Sequence, residues 1–262
     1  MGAKIIQVDA FTSEPFKGNP AAVCILDEPR DEKWMQHLAE EMNLSETAFL
    51  VPDAEAFHLR WFTPTTEVDL CGHATLASAH ALWESGILKP EQPARFDTKS
   101  GRLTARLKGE WIELDFPANT VEKIQAPKGL LEALGGHGKF TGWDGTDYLV
   151  EVESESQVRA LTPDLKALKR FPARGISVTS RADSKDFDFV SRFFAPAAGI
   201  DEDPVTGSAH CSLGPFWAIR LGRQELLGYQ ASSRGGFVRV SLNGGRVLLG
   251  GQAVTVFQGE LF

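Results

Sequence analysis

No stretch of about 18 apolar residues occurs anywhere in the 262 residues, so no helix is expected to span a membrane. Cysteine is scarce. Cys24, Cys71 and Cys211 are an odd number that cannot pair completely, which fits a reducing compartment and sets the cytoplasm as the expected location. Basic charge does not dominate: 27 Lys and Arg stand against 35 Asp and Glu, a net charge of -8. That balance argues against a nucleic-acid partner, which needs a basic face to neutralise phosphates. The opening Met1-Gly2-Ala3-Lys4-Ile5-Ile6 has no apolar core or cleavage site of a signal peptide. Walker-type phosphate loops, Gly-x-Ser-x-Gly elbows, His-Glu-x-x-His pairs and Cys-x-x-Cys pairs are all missing. Cys71-x-His73 supplies only two ligands, so no metal site is expected.

What remains is a balanced globular composition, 42% hydrophobic and 24% charged, enough for one large core or two small ones. Short β-patterned runs recur along the chain, and His58-Leu59-Arg60-Trp61-Phe62 and Trp111-Ile112-Glu113-Leu114-Asp115 alternate cleanly. Few segments read as helices. Over 31–42, Asp31 can cap, Trp34, Leu38 and Met42 share a face, and Asn43 can end the helix. A second runs over 73–84, with Leu76, Ala79 and Trp83 on one stripe and Gly86 past its end. A short one covers 128–134. A fourth covers 207–221, where Pro215 is expected to kink it or end its first part. Many strands with two prominent helices predict an α+β fold rather than a regular βαβ array.

An internal echo sharpens this expectation. Arg60-Trp61-Phe62-Thr63-Pro64, followed by Val68-Asp69-Leu70-Cys71, precedes the second helix. Arg192-Phe193-Phe194-Ala195-Pro196, followed by Ile200-Asp201-Glu202-Asp203, precedes the fourth. The offset is near half the chain and favours duplicated domains, with a boundary near Pro117-Ala118-Asn119-Thr120: residues 1–118 and 119–262.

In each half a strand leads through a tight turn into a helix: Cys71-Gly72-His73-Ala74 in the first, Asp203-Pro204-Val205-Thr206-Gly207-Ser208 in the second. Helix N-termini expose N–H groups and a positive dipole end, and Gly72 and Gly207 allow close approach. Two such termini would suit a carboxylate; either alone is equally an ordinary helix start. Glu46 stands at the mouth of an apolar strand, where partial desolvation suits proton transfer, although a turn glutamate often has only a local role. Asp203, His73 and Ser208 are the other polar candidates. Cys71 and Asp203 occupy equivalent places, as paired bases on two domains would.

The segments Asp9-Ala10-Phe11-Thr12, Phe16-Lys17-Gly18-Asn19-Pro20, Asn43-Leu44-Ser45-Glu46-Thr47, Leu70-Cys71-Gly72-His73-Ala74-Thr75 and Glu202-Asp203-Pro204-Val205-Thr206-Gly207-Ser208 resemble the PhzF-like (phenazine biosynthesis protein) family. That family belongs to the diaminopimelate-epimerase-like superfamily. The likeness covers nearly the whole chain and looks nearest to the MAWD-binding-protein-like branch. It implies two domains, each a strongly curved, mostly antiparallel sheet around a central helix, with the last strand packing back on the first domain. It implies a cofactor-free isomerase with an interdomain active site, in which Glu46 shuttles a proton with support from His73, Asp203 and Ser208. Asn19, Cys71, Gly72, Ala74, Thr206 and Gly207 would line the bound small carboxylate. Related proteins are often dimers, which sets a homodimer as an expectation.

The resemblance also carries a departure. Related racemases use two cysteines as bases; here Asp203 stands in the second position, which favours a Glu-centred shuttle. Two alternatives stay open from sequence: an epimerase or racemase using Cys71 as one base, and a binding module that kept the fold without turnover.

Overall fold

Strand pairing follows the same rule twice along the chain. The computed structural model describes residues 3–136 and 138–261; Met1, Gly2, His137 and Phe262 lie outside the described residues. The chain divides into two units, one formed by Met1–Asp115 with Gly250–Phe262 and the other by Phe116–Leu249. In the first unit Ala3–Ala10 pairs antiparallel with Asn19–Ile25, which runs parallel to Glu46–Asp53. Glu46–Asp53 is antiparallel to Ala56–Phe62, that strand is parallel to Ala94–Thr98, and the latter is antiparallel to Gly101–Lys108. In the second unit Phe140–Trp143, Tyr148–Glu151, Ile176–Arg181, Phe189–Ala195, Glu225–Gln230 and Gly236–Asn243 reproduce the alternation antiparallel, parallel, antiparallel, parallel, antiparallel. The closing strand Ala253–Leu261 pairs antiparallel with Ala3–Ala10.

The echo seen in the sequence has a physical counterpart. Arg60 forks onto Glu67 at 2.7 and 2.8 Å and lies over the Phe62 ring. Arg192 forks onto Glu202 at the same two distances and lies over Phe194. Each pair ties the strand carrying the arginine to the segment that leads into the following helix.

That helix is the centre of each unit. Gly72–Glu84 has ten of its 13 residues buried, and Gly207–Leu221 ten of 15. Helices apolar on every side belong in a core, with neighbours all round rather than one buried stripe. The expected stripe through Leu76, Ala79 and Trp83 is therefore too narrow. Small residues let the curved sheets close on the helices. A Cβ on Gly251 would come within 2.5 Å of Phe11 and 2.6 Å of Leu76, and one on Gly214 would collide with Val240. The fold is α+β, each unit a curved, mostly antiparallel sheet around a buried helix.

Outer helices cover the other face of each sheet. Glu32–Met42 is capped by the Asp31 side chain accepting from Trp34 N–H, and it ends at Asn43 in the left-handed region. Its buried line is Met35 and Ala39, flanked by Trp34 and Leu38, over Cys24, Phe49 and Phe62. This is rotated from the expected face through Met42. In the second unit Leu130–Ala133, Glu155–Ala160 and Leu165–Leu168 pack over Val150, Val178 and Val190.

Pro215 does not end its helix, which runs through to Leu221. Proline lacks the N–H that would bond the carbonyl four residues back. That carbonyl, of Cys211, accepts instead from Asn119 N–H at 3.0 Å. The chain leaving Pro117 thus supplies the bond that the helix gives up.

Candidate active site

In the first unit, parallel pairing sets Ala21 beside Glu46, so two strands begin at one edge of the sheet, with Asn19 and Glu46 as their first residues. The helix Gly72–Glu84 begins there too, with Cys71 as its N-cap and no side chain capping it. Four expected residues meet as a consequence. Glu46 Oε2 lies 3.0 Å from His73 Nε2, with both side chains about nine-tenths buried. On the other side of the ring, His73 Nδ1 lies 3.2 Å from Asn19 Nδ2 and 3.5 Å from Cys71 Sγ.

The Glu46–His73 approach is close in distance but poor in alignment. Neither Glu46 Oε2 nor His73 Nε2 has a well-directed hydrogen bond among the described residues. Buried polar atoms in native proteins nearly always have partners, and exceptions mark functional positions. Burial pulls the His73 imidazole down, but the Cys71 sulfur and the Glu46 carboxylate beside it outweigh burial and hold it well above 6.5. Burial first, and the Glu46 charge second, push the Cys71 thiol up.

Glu46, Cys71 and His73 also offer donor atoms within 4.8 Å of one another. The sulfur is nearest Nδ1 of the imidazole and the carboxylate nearest Nε2.

The remaining expected residues gather in the second unit at the start of Gly207–Leu221, again without a side-chain cap. Thr206 Oγ1 donates to Asp203 Oδ2 at 2.5 Å. Gln230, fully buried, accepts from Thr206 N–H at 2.9 Å and donates to the Asp203 carbonyl at 2.8 Å. His210 Nδ1 meets the Thr206 carbonyl at 2.8 Å. Ser208 Oγ accepts from Arg174 Nη1 at 2.9 Å. Neither Gln230 nor Arg174 falls in a segment whose spacing or composition marks it in the sequence. Gln230 ends the strand Glu225–Gln230, and Arg174 sits in the loop just before the strand Ile176–Arg181. Gly72 and Ala74 lie in the first turn of the first central helix, and Gly207 opens the second.

A duplicated α+β scaffold with a buried carboxylate–imidazole pair at a helix start defines the class: isomerases of the diaminopimelate-epimerase-like fold. The phenazine biosynthesis-like protein family model matches residues 8–259, and the chain belongs to that family as a PhzF-like isomerase. It is 55% identical over 262 residues to an uncharacterized isomerase of Halalkalibacterium halodurans, covering all of this chain and 99% of that protein. A crystal structure of a PhzF-family protein from Enterococcus faecalis superposes with a TM-score of 0.96 at 43% identity, with both chains fully covered. A hydroxyproline epimerase from Agrobacterium vitis, solved with bound trans-4-hydroxy-L-proline, shares the fold at a TM-score of 0.64 and 14% identity, covering 99% of this chain and 92% of that one. Among the described residues no helix is long and apolar enough to cross a membrane.

Proposed function

We propose that the chain moves a proton between carbons of a small carboxylate-bearing substrate, with Glu46 as the general acid and base. The observation that carries this reading is the buried Glu46 Oε2, 3.0 Å from His73 Nε2 and without a well-aligned hydrogen bond. A carboxylate left so is poised to accept a proton from a carbon placed against it, and to return it at another carbon once the intermediate has delocalised. His73, held toward its charged form, would stabilise the negative charge that develops on the substrate. Asn19 and Cys71 fix the ring from its Nδ1 side. In the second unit, Thr206 and Gln230 orient Asp203 at the start of Gly207–Leu221.

The chemistry needs neither a metal nor an organic cofactor. Asp203 stands where related racemases carry their second cysteine, which disfavours a two-thiol racemase scheme. The test is incubation with a panel of small amino and hydroxy acids in deuterated water, followed by mass spectrometry. Carbon-bound deuterium is expected with at least one acid and is lost in Glu46→Gln. Undiminished uptake in Glu46→Gln contradicts the reading.

A further inference from the structure

The strand that carries Glu46 has a second face. Side chains alternate along Glu46–Asp53, so Phe49 and Val51 stand on the side opposite Glu46. Across the pairing Phe49 faces Arg60, Val51 faces His58, and His58 faces Asp97 on the next strand. On this side the helix Glu32–Met42 lays Met35 and Ala39 over Cys24, Phe49 and Phe62. Where that packing ends, a cavity of about 470 Å³ opens. Its floor is Met35, Phe49 and Val51, and its mouth is bounded by Arg30, from the segment entering the helix, and by His58, Arg60, Asp97 and Lys99.

The charged groups at the mouth are matched, with one exception. Arg60 forks onto Glu67, which also pairs with Lys99. His58 Nε2 lies 3.0 Å from Asp53. Asp97 receives the Arg102 fork at 2.7 and 2.8 Å. Arg30 lies over the Trp34 ring at 5.8 Å and has no ion pair among the described residues. Its neighbour Asp31 is engaged as the helix cap, accepting from Trp34 N–H. The mouth therefore holds one uncommitted positive charge above an apolar floor.

We infer that this cavity binds a small apolar monocarboxylate, with its hydrocarbon body against Met35, Phe49 and Val51 and its carboxylate on Arg30. An apolar hollow of a few hundred cubic ångströms with a few polar groups at its edge is the usual form of a small-molecule site. The planar guanidinium suits the two oxygens of a carboxylate. A second negative charge would meet Asp97 with no free cation to answer it, which limits the ligand to one. The site is separate from the Glu46–His73 pair, which lies on the other side of the same strand, and it does not rest on the isomerase reading.

The test is a titration of the intact protein, labelled with carbon-13 in its methionine methyl groups, with octanoate at constant ionic strength and octan-1-ol as the neutral analogue. The methionines are Met1, Met35 and Met42. Met35 lines the cavity, Met42 lies about two turns along the same helix and serves as the reference, and Met35→Leu assigns the signals. Octanoate is expected to shift the Met35 methyl saturably and to leave that of Met42 in place. Arg30→Gln should weaken octanoate binding about fivefold, the upper end for an exposed ion pair, and leave octanol binding unchanged. Val51→Trp should fill the cavity and abolish binding of both, with a melting curve showing that the variant folds. No saturable shift at Met35, an equal shift at Met42, or octanoate affinity unchanged in Arg30→Gln or in folded Val51→Trp overturns the inference. The titration needs no turnover, so it is read independently of whether Glu46→Gln abolishes deuterium uptake.

Discussion

His73 and His210 are both buried near the start of a central helix, yet their proton affinities move in opposite directions. His73 has a carboxylate at 3.0 Å and is held above its ordinary value. His210 has the Thr206 carbonyl on Nδ1 and, among the described residues, no hydrogen-bond partner on Nε2, and burial lowers it to about 4. Opposite pH dependences follow. The stability that His73 contributes is fully present below pH 6.5 and fades as pH rises through its higher folded value. The contribution of His210 is present above pH 6.5 and is lost as pH falls toward about 4. A loss on the order of 3 kcal/mol is the most that such a shift can supply. Melting temperature measured against pH checks both. His73→Gln should narrow its difference from the parent protein on the alkaline side. His210→Gln should flatten the acid-side decline between pH 6.5 and 4. A decline as steep in His210→Gln as in the parent protein would assign it to other groups.

At the scale of elements, the curved sheets depend on glycine where they cross the central helices. Gly251→Ala in the first unit and Gly214→Ala in the second should each cost about 1–3 kcal/mol by overpacking, read by thermal or denaturant unfolding. Because the added methyl of Gly214→Ala meets one side chain, Val240, pairing it with Val240→Ala should recover part of the loss. A pair whose effects merely add would rule out that contact as the cause. Such crossings were not legible in the sequence, where Gly214 and Gly251 are isolated letters. Legible there were the cap at Asp31, the turn at Asn43, the two central helices and the Arg-Phe echo, all set by local chemistry or by repetition. The passage of the helix through Pro215 was not, because the compensating Asn119 lies about ninety residues earlier. The short helices Glu155–Ala160 and Leu165–Leu168 were not either, since four to six residues carry too little periodicity to count.

At the scale of the whole molecule, duplication explains which site residues could be found. Glu46, His73, Asn19 and Cys71 fall in recognisable segments and meet in one cluster, whereas Arg174 and Gln230 come from a loop and a strand whose lengths differ between the halves. The division of the chain also makes a prediction. Ala253–Leu261 pairs with Ala3–Ala10, so deleting the strand should raise hydrogen exchange in Ala3–Ala10 and leave Ile176–Arg181 protected. Equal loss of protection in both strands would mean that the two units unfold as one.

The account stands on Glu46 carrying the proton. Deuterium uptake into a turned-over acid, measured side by side in Glu46→Gln and Cys71→Ala, tests this most directly. Uptake abolished in the first and retained in the second is the predicted result, while uptake retained in the first and abolished in the second would transfer the role to the thiol.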